Sequence, residues 1–200
     1  MKVVNLYEDN IAEIVDVLCE SFYEYPVMRY VLGEKDDYHN RLRMLVRFFV
    51  ETRVLKKEPM FGIYDSSNIL AAAAIVTLPG DNPQTEELKR RRDILWKELG
   101  SIEQTRYENY GKAASGLLPN YPHHHLNMIG VRQLYKGRGF ARQVITAVED
   151  SARLHPHSSG ISLNTEYENN VNLYLHLGYK LTGKANVNEN LETWGFFKAI

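Results

Sequence analysis

The stretch Ile129–Arg142, IGVRQLYKGRGFAR, has the residue types of an anion site. An apolar strand pattern runs into a turn carrying Gly137 and Gly139 and then directly into a helical pattern. The first amides of a helix lack intrahelical acceptors and stand at the positive end of its dipole, and glycines let a bound group approach the backbone. Lys136, Arg138 and Arg142 add positive charge around the turn. A pyrophosphate suits such a layout. A dinucleotide-binding unit does not, because the third glycine and the ribose-binding acid of that fingerprint are not supplied. No G-x-x-x-x-G-K-[ST] phosphate loop occurs either.

Two other clusters are weaker. The single cysteine, Cys19, falls within an apolar helical pattern and reads as a buried thiol, with no disulfide partner. His123-His124-His125 invites a metal, but neighbours in a strand point to opposite faces and no fourth ligand follows at a recognisable spacing, so no metal site is expected.

The elements that must position these residues can be read from periodicity. Residues 2–7 read as a strand, and Ile11, Ile14, Val15, Leu18 and Phe22 then share one face of a helix. Tyr25-Pro26 and Gly33 break the chain before a second helix over Tyr38–Lys56. Met60–Tyr64 and Ile69–Leu78, joined by Asp65-Ser66-Ser67-Asn68, form an expected antiparallel hairpin. Residues 79–122 read as a helical insertion plus loop: Pro79-Gly80-Asp81-Asn82-Pro83, a charged helix, then a Tyr- and Gly-containing stretch to Pro119 and Pro122. The run Lys89-Arg90-Arg91-Arg92 lies among Glu86, Glu87, Asp93 and Glu98 and so reads as a solvated helix face. From His124 the order is strand, turn, helix, strand (ISLNTE), short helix (NNVNLYLHLG), strand (YKLTGKANV) and strand (TWGFFKAI).

With 200 residues, 44% hydrophobic and 24% charged, the chain has an ordinary globular composition. No repeat, linker or low-complexity tract divides it, which favours one α+β domain. A net charge of -1 removes the electrostatic case for a nucleic-acid or membrane-surface binder. The longest apolar stretch, Ile69–Val76, is far short of the ~20 residues that cross a bilayer, and MKVVNLYEDN has no signal-peptide core. A soluble, cytoplasmic protein is expected.

The segment VRQLYKGRGFARQVI resembles the acetyl-CoA-binding motif of the GCN5-related N-acetyltransferases, [QR]-x-x-G-x-[GA]. Here it reads Lys136-Gly137-Arg138-Gly139-Phe140-Ala141, with Lys in the first position. About thirty residues on, NNVNLYLHLGYKL is similar to the family's second block. The likeness covers residues 124–182 well, and residues 79–122 find no counterpart in it. Leu163-Asn164-Thr165 followed by Asn170-Val171 and Tyr174 is similar to the branch holding the puromycin-type antibiotic acetyltransferases.

The resemblance implies a mixed, mostly antiparallel sheet flanked by helices on both faces, and acetyl-CoA as cosubstrate. Ile129, Gly130 and Val131 would pair with the pantetheine arm, with Gly130 at a bulge and the Ile129 N–H facing the thioester oxygen, a donor for the oxyanion. Lys136, Gly137, Arg138, Gly139, Phe140, Ala141 and Arg142 would hold the pyrophosphate. Tyr174 would protonate the departing thiolate. Asn170 would bond the cofactor arm or else cap a helix. For the base that deprotonates the amine, His125 is one candidate, alternating with Asn127 onto one strand face, with an unperturbed pKa near ~6.5. Glu166 is the other.

Phe22, Glu24, Tyr25 and Met28 would line the acceptor pocket, with Glu24 attracting the amine's charge, or belong to core and rim. The reaction implied is direct attack of a small-molecule amine on acetyl-CoA in a ternary complex. A protein N-terminal or lysyl acetyltransferase and a non-catalytic acyl-CoA sensor or interaction module are the alternatives. A homodimer is allowed but not required.

Overall fold

The computed structural model describes residues 2–80 and 84–200. Of the loop expected at 79–83, Asp81, Asn82 and Pro83 lie outside the described residues. In chain order the elements are β1 (Val3–Leu6), α1 (Ile11–Phe22), α2 (Pro26–Leu32), α3 (Tyr38–Leu55), β2 (Met60–Tyr64), β3 (Leu70–Thr77), α4 (Glu86–Leu99) and α5 (Ser101–Ser115). They continue with β4 (His124–Val131), α6 (Phe140–Leu154), β5 (Gly160–Thr165), α7 (Glu168–His176), β6 (Lys180–Asn188) and β7 (Leu191–Ala199). The strands make one sheet in the order β1-β2-β3-β4-β5-β7-β6, antiparallel throughout except between β4 and β5. This is the expected α+β arrangement.

Helices cover both faces. On one, Ile14, Leu18, Val31, Leu42 and Leu95 from α1 to α4 pack with Ala73, Ile75 and Met128 of the sheet. On the other, Phe140, Val144, Ile145 and Val148 of α6 pack with Ala72, Ala74, Val76 and Leu126. β3 is therefore buried on both sides, which is why its sequence is a continuous apolar run rather than an alternating one. Each fully buried aliphatic side chain in these layers contributes about 1.5–3 kcal/mol of transfer free energy.

Two helices depart from the expectation. Pro26, read as a break, is the first residue of α2, where a missing N–H costs nothing. The stretch after Gly100 is not loop but α5, of 15 residues. Its Glu103 is buried and pairs with Arg41 of α3 at 2.7 Å and with Lys35 at 2.7 Å. That cluster fixes α5 against α3.

Three residues of the basic run of α4 are matched to acids, and Arg92 donates to Gln84 Oε1. Lys89 pairs with Glu86, Arg90 with Glu87, and Arg91 with both Glu87 and Glu51. No helix among the described residues is long and apolar enough to cross a membrane.

Candidate active site

The sheet opens where the strand pairing changes. β4 and β5 pair in parallel only at His124–Ile161 and His125–Ser162. Immediately beyond, Ile75 faces Met128 while Val76 faces Leu126, so Asn127 is the extra residue of a bulge. Asn127 and Met128 consequently both turn towards the α1–α5 face, where Asn127 Oδ1 accepts from Arg53 of α3 at 3.0 Å and Met128 joins the core. The alternation expected to carry His125 and Asn127 into Ile129 is broken there, and the Ile129 side chain packs on the α6 face.

The bulge lies at Asn127 and not at Gly130, which pairs in register with Ala73. Gly130 is required for a different reason: a Cβ there would meet Ser21 Oγ at 2.6 Å and Leu18 Cδ2 at 3.2 Å. It lets α1 sit close against β4.

Backbone orientation follows from the ladder. Arg132 N donates to Ala71 O at 2.9 Å, in the same register as Val131–Ala72. In an antiparallel pair, hydrogen-bonded and non-bonded positions alternate, so Gly130 and Met128 bond to β3 while the amides of Ile129 and Val131 point the other way. That direction is the opening between β4 and β5. Ser21 Oγ closes its rim by donating to Val131 O at 3.1 Å.

A cavity of about 330 Å³ lies on the α1–α5 side of this opening. Ile129, Tyr174, Glu166, His125, Asn170, Phe22, Tyr25 and Met28 all line it. Glu24 does not. It is exposed on the surface and its Oε1 pairs with Arg29 Nη2 at 2.6 Å, so the carboxylate expected from Glu24 is supplied to the cavity by Glu166.

Glu166 is 8% exposed. Its Oε1 accepts from Thr193 Oγ1 at 2.7 Å and from Tyr110 Oη at 3.1 Å. Burial raises its carboxyl above the usual range, opposed by hydrogen bonds from Thr193, Tyr110 and Tyr25. Tyr25 Oη accepts from the Glu166 amide at 3.2 Å and lies 3.0 Å from Thr165 Oγ1, to which Asn170 Nδ2 also donates at 3.1 Å. Asn170 thus sits in the first turn of α7, inside the cavity wall.

Tyr174 is 6% exposed, and among the described residues no group hydrogen-bonds its hydroxyl. Burial, with the charge of Glu166 adding, pushes that phenol up to about 12. His125 Nδ1 lies 2.8 Å from Ser162 Oγ. Burial, with His123 and Arg53 adding, pulls its imidazole down to about 4, well below the value expected for an unperturbed base. His125 is neutral at pH 7 and a poor proton acceptor.

The three histidines diverge as strand geometry requires. His123 bonds Tyr121 O and His124 bonds Ser158, while His125 faces the cavity. No group of three or more metal-binding side chains is assembled among the described residues. Cys19 is buried in α1, away from the cavity lining, and burial pushes its thiol up to about 11. It carries no thiolate at neutral pH.

The glycine turn leads into α6 as its sequence demands. Gly137 has φ 79° and Gly139 φ 75°, and a Cβ at either would meet nothing within 4 Å, so it is the backbone conformation, not crowding, that calls for glycine. The turn is exposed along Lys136–Gly139, as is Arg142, whereas Phe140 is buried beneath as an anchor and Ala141 is half-buried. Gln143 N makes the first bond back to Gly139 O, leaving the amides of Phe140, Ala141 and Arg142 without helical acceptors. These features fit a bound pyrophosphate.

Several cavity residues have no counterpart among the sequence candidates: Tyr110 and Tyr107 of α5, Arg53 of α3, and Thr193 of β7 beside it. The signal for α5 is the spacing Glu103, Tyr107, Tyr110, Ala114 along one helix face. A charged residue at its head and Gly111 within it obscure that pattern.

The fold and site define a class: a single-domain α+β chain whose sheet splits beside a glycine turn that opens a helix and a cavity. Residues 103–195, a little under half of the chain, match the family model described as an acetyltransferase (GNAT) domain. No curated protein matches the sequence. Among solved structures, the chain is similar to a histone acetyltransferase HPA2 and related acetyltransferase from Corynebacterium glutamicum, with TM-score 0.72 and 20% identity over 96% of this chain and 94% of that one. It is also similar to arylalkylamine N-acetyltransferase 2 from Aedes aegypti (TM-score 0.64, 15% identity, 99% and 98% covered). The polyamine N-acetyltransferase of Drosophila melanogaster gives TM-score 0.65 and 15% identity, with 99% of each chain covered. The fold is that of these acetyltransferases.

Proposed function

We propose that the protein transfers an acetyl group from acetyl-CoA to the amine of a small molecule by direct attack in a ternary complex. The observation that carries this reading is convergence on one cavity: the Ile129 amide, the Glu166 carboxylate and the Tyr174 phenol all border it. Acetyl-CoA supplies an activated acyl thioester. Exposed glycine-turn amides with Lys136, Arg138 and Arg142 hold its pyrophosphate, and the Val131 and Ile129 amides, turned away from β3, face its arm. Asn170, already bonded to Thr165, stiffens the cavity wall beside that arm.

Each residue then has a proton or a charge to manage. The Glu166 carboxylate takes a proton from the ammonium form of the acceptor, since a buried carboxyl with a raised pKa is a better base than an exposed one. The Ile129 N–H donates to the carbonyl oxygen as negative charge develops there. As the C–S bond breaks, Tyr174 gives its proton to the departing thiolate, and the second proton lost by the attacking nitrogen as the amide forms restores the phenol. His125, neutral and hydrogen-bonded to Ser162, shapes the wall. Phe22, Tyr25 and Met28 supply apolar contact to the acceptor.

The modest size of the cavity, about 330 Å³, favours a small acceptor over a protein terminus or lysine, and neighbours acting on arylalkylamines and polyamines support the same class. The finer likeness to puromycin-type enzymes rests on Leu163–Thr165 and Asn170–Tyr174 alone. The test is release of CoA thiol from acetyl-CoA with pools of arylalkylamines, polyamines, aminoglycosides, amino acids and peptides. Acceptor-dependent release that Tyr174→Phe loses while still binding acetyl-CoA is expected. Binding of acetyl-CoA without release in any pool would instead leave a sensor of acyl-CoA.

A further inference from the structure

Arg53 occupies an unusual place between two hollows. One is the interior cavity that Glu166 borders. The other is an outer groove of about 810 Å³, formed by β1, the ends of α3 and α6, and the segment from Lys57 to Phe61. Among the residues lining the two, Arg53 alone belongs to both. It is 9% exposed, so it acts as the partition.

The partition is anchored on three sides. Its Nη1 donates to Asn127 Oδ1 at 3.0 Å and to Thr77 Oγ1, and its Nε is ion-paired with Glu58 Oε2 at 3.0 Å. Asn127 is the bulged residue of β4, so the irregularity that opens the sheet also aims the acceptor for this guanidinium. The compensation of charge is one-sided. Glu58 lines only the outer groove, whereas Arg53 reaches the cavity, so the cavity sees the cation and the carboxylate lies behind it. A guanidinium is permanently charged, and in an enclosed site its effect on a second charge is screened far less than in water.

Resting on the amine-acceptor reading above, we infer that Arg53 is a specificity-determining residue. It closes the acceptor cavity towards the groove and bars a second cationic group there, so the acceptor is a monoamine whose remote part is uncharged or accepts hydrogen bonds. Glu166 attracts the one ammonium that reacts. A diamine would have to bring its other charge into the same enclosed space, against Arg53.

The experiment compares pentylamine with cadaverine, equal in length and different in the second charge, as substrates or as competitors of an accepted amine. The wild-type chain is expected to favour pentylamine by roughly tenfold or more, the scale of like-charge repulsion at a few ångströms in a partly screened site. Arg53→Met combined with Glu58→Gln removes the cation without leaving a lone buried carboxylate, and should erase that preference. Arg53→Lys should keep it, and Glu58→Gln alone should sharpen it. Equal use of both amines by the wild type, or an unchanged ratio in the double variant, overturns the role of Arg53. Absence of turnover with every amine, while acetyl-CoA still raises the melting temperature, overturns the acceptor reading itself and the inference with it.

Discussion

Tyr110 donates its hydroxyl to Glu166 Oε1 at 3.1 Å, joining α5 to the end of β5 across 56 positions of sequence. Thr193 Oγ1 donates to the same oxygen from β7, so two remote elements hold a carboxylate that lines the cavity. The groups facing Glu166 are Tyr25, Tyr110, Thr193 and Tyr174, from four different parts of the fold.

Tyr110→Phe should move the pH dependence of kcat/KM. A hydrogen bond to the carboxylate favours the ionised form, so its loss raises the Glu166 pKa and the ascending limb of the profile shifts to higher pH. A hydrogen bond to a charged group is worth about 1.5–3 kcal/mol, which at 1.36 kcal/mol per unit is about one to two pH units. The pH profile of thiol release measures this directly. A loss of activity that is the same at every pH would mean that Tyr110 only packs.

The two carboxylates show what sequence could and could not decide. In the sequence Glu24 is the candidate for attracting the amine's charge and Glu166, at the end of a strand, a candidate base. Which one is buried depends on Arg29, five residues past Glu24, which draws that carboxylate to the surface, and on Tyr110 and Thr193, which arrive from remote elements. The glycine turn was legible because strand, turn and helix are contiguous and need no tertiary partner. The bulge at Asn127 was not, since it is a property of pairing with β3. α2 was hidden by a proline that punctuates the chain in either reading, and α5 by weak amphipathicity that only its packing on α2, α4 and the β6–β7 hairpin resolves.

Glycines at two positions should fail in different ways. Gly139→Ala forces a side chain into the left-handed region at a cost of about 1–2 kcal/mol, with open space around it. Acetyl-CoA affinity should fall with little change in acceptor KM. Gly130→Ala has no such backbone penalty but drives a methyl into Ser21 and Leu18, an overpacking cost of about 1–3 kcal/mol that would lift α1 from β4. Denaturant unfolding with calorimetric titration separates the two. Unimpaired acetyl-CoA binding by Gly139→Ala would remove the turn from the pyrophosphate site.

Glu103→Ala should couple stability to the acceptor side. Glu103 and Arg41 are both buried and 2.7 Å apart, and removing one partner of such a pair costs up to about 3–5 kcal/mol, lessened here because Arg41 keeps Asp37 at 3.9 Å and the Leu99 carbonyl. The same pair fixes the helix that carries Tyr107 and Tyr110. A lower denaturation midpoint accompanied by a raised acceptor KM, with acetyl-CoA affinity kept, is the expected outcome. Equal weakening of both ligands would instead indicate general loosening.

His124 should make the fold sensitive to acid. Its ring is fully buried, and Ser158 Oγ, which donates to Gly160 O at 3.1 Å, accepts from His124 Nδ1 at 2.8 Å. That leaves Nε2 as a buried lone pair without a partner among the described residues. Burial, with His155 and His123 adding, holds the imidazole at about 4 against 6.5 in the unfolded chain. As pH falls from about 6.5 towards 4 the unfolded chain takes up a proton that the folded chain refuses, so stability declines through that window. His125 contributes in the same sense, and Glu166, whose raised carboxyl is protonated more readily when folded, opposes it. His124→Asn keeps a donor for Ser158 without the titration. Its melting temperature should therefore fall less steeply than that of the wild type between pH 6.5 and 4, whatever its value at pH 7. Parallel slopes for the two proteins would show that the acid sensitivity arises elsewhere.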